Sequence, residues 1–90
     1  MRNPVIGSQF KRDVKRVEKR GKEMAKLRKV IQLLIEGGPL PPHYKDHPLT
    51  GDWKHFRDCH IDPDWLLLYK IDLNDLYLVQ TGTHADLFDS

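Results

Sequence analysis

Phe10, Val14 and Val17 recur at helical spacing, and this apolar stripe predicts a first helix from Ser8, a competent N-cap, to about Arg20. Gly21 interrupts it. Met24, Leu27, Ile31 and Leu34 then share one face of a second helix over roughly Lys22 to Glu36, with Val30 and Ile35 widening the stripe. Gly37-Gly38-Pro39 stops that helix, because glycine takes a left-handed C-cap and proline cannot continue the ladder. The two stripes are expected to pack together as a helical hairpin. Beyond a loop stiffened by Pro39, Pro41, Pro42 and Pro48 the period changes. Trp53 to Ile61 reads as a strand of imperfect alternation, and Trp65 to Ile71 as a strand buried on both faces or nearly so. Leu76 to Gln80 or Gly82 is a last strand after a turn at Asn74-Asp75, and Asp62-Pro63-Asp64 turns the first strand into the second. Val5-Ile6 suits a short edge strand, and Thr83 to Ser90 closes the chain with a helical turn. The expected fold is α+β, in the order (β)ααβββ: a helical hairpin on a small antiparallel sheet, one domain spanning residues 1–90.

Composition narrows the function classes. At 39% hydrophobic and 31% charged residues the chain reads as a soluble globular domain. No apolar run approaches the ~18 residues of a spanning helix, so no membrane role is expected. The stretch Met1 to Gly7 has no apolar signal core, so a cytoplasmic location is expected. Cys59 is the single cysteine, which fits a reducing compartment and a small core side chain. The net charge of +2 hides an asymmetry. Residues 10–29 hold ten basic side chains (Lys11, Arg12, Lys15, Arg16, Lys19, Arg20, Lys22, Lys26, Arg28 and Lys29) against Asp13, Glu18 and Glu23. A charge run is ordinarily a solvated face. This excess, without i+4 acidic partners, points instead to a polyanion such as nucleic acid.

The antiparallel meander serves as a ruler for the candidate chemistry. An Asn74-Asp75 turn pairs Leu73 with Leu76 and carries His84 opposite Trp65, beside Asp64. The first hairpin sets His60 opposite Trp65 or its neighbour, so His60, Asp64, Trp65 and His84 should meet at one corner. His60 with Asp64 is a candidate acid–base pair, set against the plainer reading of a turn-capping aspartate beside a surface histidine. His84 equally suits the cap of a terminal turn. His43 and His47 have metal-ligand spacing, but their proline-rich loop denies them a helix, and no metal is expected. His55 reads as solvated. Cys59 and His60, adjacent on a strand, point to opposite faces. Trp65 and Phe88 are either base-stacking platforms or core packing, and Arg57, Tyr69 and Lys70 are candidate phosphate contacts.

Tyr44-Lys45-Asp46-His47-Pro48-Leu49, Gly51-Asp52-Trp53-Lys54, Arg57-Asp58-Cys59-His60 through Pro63-Asp64-Trp65, and Thr81-Gly82-Thr83-His84-Ala85-Asp86-Leu87-Phe88 together resemble the YafQ branch of the RelE toxin superfamily. The resemblance covers nearly the whole chain and implies a RelE-like fold. It also implies a ribosome-dependent endoribonuclease that cleaves messenger RNA in the ribosomal decoding site, held in check by a cognate, DinJ-like antitoxin. The functional positions of the family fall on His47, His60, Asp64, Trp65, His84 and Phe88. The mechanism so implied is metal-free and cofactor-free transesterification, with His84 as acid and His60 with Asp64 as base, or the two exchanged. His47 would neutralise phosphate or relay a proton, Trp65 and Phe88 would hold the message, and the basic helices, from Lys11 to Lys26, would bind ribosomal RNA. Two other readings stand beside it: a metal-dependent nuclease using His43, His47 and His60, and a non-catalytic nucleic-acid-binding module.

Overall fold

Three antiparallel strands form the centre of the fold in the computed structural model, which describes residues 1–88; Asp89 and Ser90, the end of the expected terminal turn, lie outside the described residues. They are β3 (Arg57–Asp62), β4 (Trp65–Asp72) and β5 (Asp75–Gly82). The edge strand expected at Val5-Ile6 is present, and the sheet gains a further strand on its other side that the sequence does not suggest. β1 (Asn3–Ile6) pairs parallel to β5, from Asn3 opposite Asp75 to Ile6 opposite Leu78, and β2 (His47–Pro48) pairs with β3. The result is a five-stranded mixed sheet in the order β1-β5-β4-β3-β2, in place of a purely antiparallel one. Period-2 patterning identifies strands but not distant partners, and β1 meets its partner some seventy residues later in the chain.

Two helices cover one face: α1 (Ser8–Lys19) and α2 (Met24–Glu36). The N-cap of α1 is Gly7 and not Ser8, and α2 starts at Met24, the first residue of its apolar stripe, two residues after the expected Lys22. Gly37 ends α2 at φ 89°, the left-handed cap foreseen for it. Phe10 and Val17 of α1 with Leu27, Val30 and Leu34 of α2 join one buried cluster with Cys59, Ile61, Trp65, Leu67, Tyr69, Leu76 and Leu78. The helices thus spend their stripes on the sheet. A short helix, α3 (His84–Phe88), follows β5.

The opposite face is covered by loops and α3. Residues 51–53 form a 3-10 turn, so β3 starts at Arg57 and not at Trp53. Trp53 lies edge-on to both Phe56 and Phe88, at ring separations of 5.4 and 6.3 Å. Leu66 and Leu68, fully buried on this side, form the floor. β4 is therefore buried on both faces, as its unbroken apolar run requires.

Candidate active site

Alternation along β3 puts Asp58 and His60 on the face turned away from the helices, opposite Leu68 and Leu66 of β4. His47 of β2 sits directly across from Asp58. The turn between β4 and β5 lies one residue earlier than expected: Asp72 pairs with Asp75, and Leu73, almost fully exposed, takes φ 56°. A bulge at Val79 then shifts the pairing so that Leu66 faces Gly82. Two further places along, this register sets His84 against Asp64. The rings of His47 and His60 are 6.4 Å apart and those of His60 and His84 5.5 Å apart, so three imidazoles share one exposed face.

Asp64 belongs to His84, not to His60. Its Oδ1 accepts from His84 Nδ1 at 2.7 Å and from the His84 backbone N–H at 3.1 Å. These bonds hold the Asp64 carboxyl below the usual carboxylate range, and they fix the orientation of the ring. The expected His60–Asp64 pair is corrected accordingly. The β5 register brings His84 alongside the Pro63-Asp64 turn, whereas His60 stands two strand positions back, opposite Leu66. Among the described residues none hydrogen-bonds the His60 ring.

Asp58 is the residue that sequence reasoning passed over. It is 4% exposed, and burial pushes its carboxyl up, opposed by His47, His60 and His84 around it. His47 Nε2 stands 3.1 Å from Asp58 Oδ1, close enough for an ion pair though not aligned as a hydrogen bond. His47 Nδ1 lies 2.8 Å from the Lys45 carbonyl, to which it can only donate. The other nitrogen of a neutral ring would then present a lone pair to an acceptor oxygen. Contact is favourable only with a proton on His47 Nε2 or on Asp58. The signal was present: Asp58 and His60 are i and i+2 on one strand face.

The remaining expected contacts divide. Lys70 lies on the imidazole face, 5.6 and 5.9 Å from the Phe56 and Tyr77 ring centres, and Phe88 is 41% exposed. Trp65 is 0% exposed, on the helix side, with its indole N–H donated to Thr81 Oγ1 at 2.9 Å; it offers no face to a base. Arg57 also points to the helix side, where it and the Tyr69 hydroxyl donate to Asp46 and so anchor the loop that carries His47. The basic run is not uniformly free. Arg16 pairs with buried Asp13, Arg20 with Asp86, and Lys26 with Asp62. The run therefore reaches the acid–base corner. Lys11, Arg12, Lys15 and Lys19 remain exposed along α1, and Lys22 is half-buried after it. Cys59 is buried with its thiol pushed up to about 12 by desolvation, an inert core side chain as expected. Among the described residues no three His, Cys, Asp or Glu side chains are grouped to hold a metal ion.

Similar sequences and backbones occur in other proteins. Escherichia coli K12 has a relative named mRNA interferase toxin YafQ, 52% identical over 81 residues, 89% of this chain and 88% of that protein. The E. coli DinJ–YafQ complex contains a chain that superposes with a TM-score of 0.92 at 48% identity, over 98% of this chain and 99% of that one. A metal-bound toxin from Helicobacter pylori superposes at 0.91 with 43% identity, over 98% and 100%. Residues 2–89 match the family described as bacterial toxin of type II toxin-antitoxin system, YafQ. With relatives this similar over nearly their whole length, the chain belongs to the YafQ family of bacterial toxins of type II toxin–antitoxin systems.

Proposed function

We propose that this chain is an mRNA interferase: a ribosome-dependent endoribonuclease, acting in the cytoplasm, that cleaves messenger RNA in the decoding site by metal-free acid–base transesterification. The observation that carries this reading is the face of three imidazoles, with His84 fixed on Asp64 and His60 between it and His47. His60, whose ring nitrogens are uncommitted, takes the proton of the ribose 2′-hydroxyl. The 2′-oxygen attacks the adjacent phosphorus, and His84, oriented by Asp64, protonates the leaving 5′-oxygen. A 2′,3′-cyclic phosphate and a 5′-hydroxyl result. Imidazoles suit both roles because they titrate near neutral pH, and each role is worth roughly 10²–10⁴ in rate. His47 and Lys70 contact the phosphate, while Phe88 packs against the message. The names of the E. coli relatives support messenger RNA as substrate and a DinJ-like antitoxin as partner.

The metal-bound H. pylori relative favours a second reading, a metal-assisted nuclease. One experiment separates the two. Messenger RNA is incubated with the protein with and without translating ribosomes, at constant magnesium, with and without a chelator selective for transition metals. Ribosome-dependent cuts ending in 5′-hydroxyl and cyclic phosphate, indifferent to the chelator, are expected. His60→Ala and His84→Ala should each lose about 10²-fold or more in rate while still binding antitoxin. Equal cleavage of ribosome-free RNA, 5′-phosphate ends or loss under the chelator would overturn the proposal.

A further inference from the structure

α3 has five residues, too few to hold a helical position by itself, yet it carries His84 and Phe88. Two sets of bonds fix it. Within the turn, the Thr83 N–H donates to Asp86 Oδ2 at 2.9 Å and the Asp86 N–H donates to Thr83 Oγ1 at 3.1 Å, a reciprocal cap. From outside, Arg20, just past the end of α1, donates from Nη1 to Asp86 Oδ2 at 2.6 Å and from Nη2 to Oδ1 at 3.2 Å. Arg16, one turn back on the same stripe, is 3.9 Å from Asp86 Oδ2 and bonded to Asp13 at 3.0 Å. Asp13 in turn accepts the Thr81 N–H at 3.2 Å. The end of α1, the end of β5 and α3 are therefore one strut. Gly82 permits the approach, since a Cβ there would lie 2.8 Å from the Asp86 Cβ and 2.7 Å from its Oδ2. Asp64 holds His84 from the other side.

We infer that the Arg20–Asp86 pair is a positioning device for the cleavage step: it sets α3 so that His84 stands beside His60, and Arg20 acts in turnover more than in RNA affinity. The inference rests on the reading of His84 as general acid. Arg20 and Asp86 touch no reacting atom in this scheme; they act through α3.

Asp86→Asn is the discriminating variant, because it keeps an oxygen for the Thr83 N–H while it removes the charge and turns the acceptor of Arg20 Nη2 into a donor. Its kcat on ribosome-bound message should fall about tenfold, with KM and ribosome affinity within about twofold of wild type. Arg20→Gln should reproduce that split, and Arg20→Lys should recover most of the rate. In a His84→Ala background, Asp86→Asn should bring no further loss, which a general weakening of the fold would not reproduce. NMR of the free toxin should show the His84 ring resonances shifted in Asp86→Asn, with the Trp65 indole resonance unmoved. Wild-type kcat in Asp86→Asn, a defect confined to ribosome affinity, or additive loss with His84→Ala would overturn the clamp while leaving the acid assignment standing. Wild-type cleavage by His84→Ala would overturn the acid assignment itself, and the clamp with it.

Discussion

Asp58 and His47 face each other across the sheet edge with one proton to share, and their substitution has a sign that can be worked out. Because burial pushes the Asp58 carboxyl up, the folded chain holds that proton more readily than the unfolded chain. Stability should therefore fall as pH rises from the ordinary carboxylate range through the raised value, and the loss persists above it. Asp58→Asn removes the buried charge and supplies an N–H for the His47 Nε2 lone pair. Thermal melts of this variant should show a midpoint about 4 °C higher at pH 7 to 8, the effect of roughly 1 kcal/mol on a domain of this size, and a flatter dependence on pH. Cleavage should fall at least about tenfold, because the new amide holds His47 Nε2 away from the phosphate; unchanged melting and unchanged cleavage would detach Asp58 from the site. The imidazoles were legible at this scale because their residue type is itself the signal. The fates of Arg57 and Trp65 were not. Arg57 is consumed by Asp46, eleven residues away in a loop, and Trp65 by Thr81 across the sheet. Both contacts are properties of the folded backbone that composition does not contain.

Elements were readable where their patterns are local: both helices, the meander and the proline-rich connection fall close to where apolar spacing puts them. Their mutual fastening was not. Asp13 looks in sequence like one of three acids diluting a basic helix, but it is 1% exposed and accepts from Gln9 and Arg16 of its own helix and from the Thr81 backbone. β1 reaches only as far as Leu78, and Asp13 takes up the strand N–H beyond it. Asp13→Ala leaves that donor and the Arg16 guanidinium without their anion, and denaturant unfolding should show a loss of about 3 kcal/mol. A loss under ~1 kcal/mol would mean that water substitutes for the carboxylate. The register displacement at Leu73 has a similar origin: a leucine in the left-handed region gives no warning in sequence, yet together with the bulge at Val79 it decides which residue faces Asp64.

Over the whole molecule, charge was legible as a quantity and misleading as a surface. Of the basic side chains from Lys11 to Lys26, Arg16, Arg20 and Lys26 are held by carboxylates, whereas Lys11 and Lys15 stand exposed on α1 beside an apolar groove lined by Ile6, Phe10 and Val14. Replacing both lysines with glutamate should weaken ribosome association and reduce its salt slope by about two, with kcat at saturating ribosomes retained. An unaltered slope would take this side of α1 out of the RNA interface. The pairing of β1 with β5 carries a consequence of another kind. Asn3 has no strand partner until Asp75 exists, and the imidazole face is incomplete until His84 follows it. During synthesis from the N-terminus, the basic helix is made first and the imidazole face last. On the proposed function, a nascent chain has its RNA-binding side long before it has anything with which to cut.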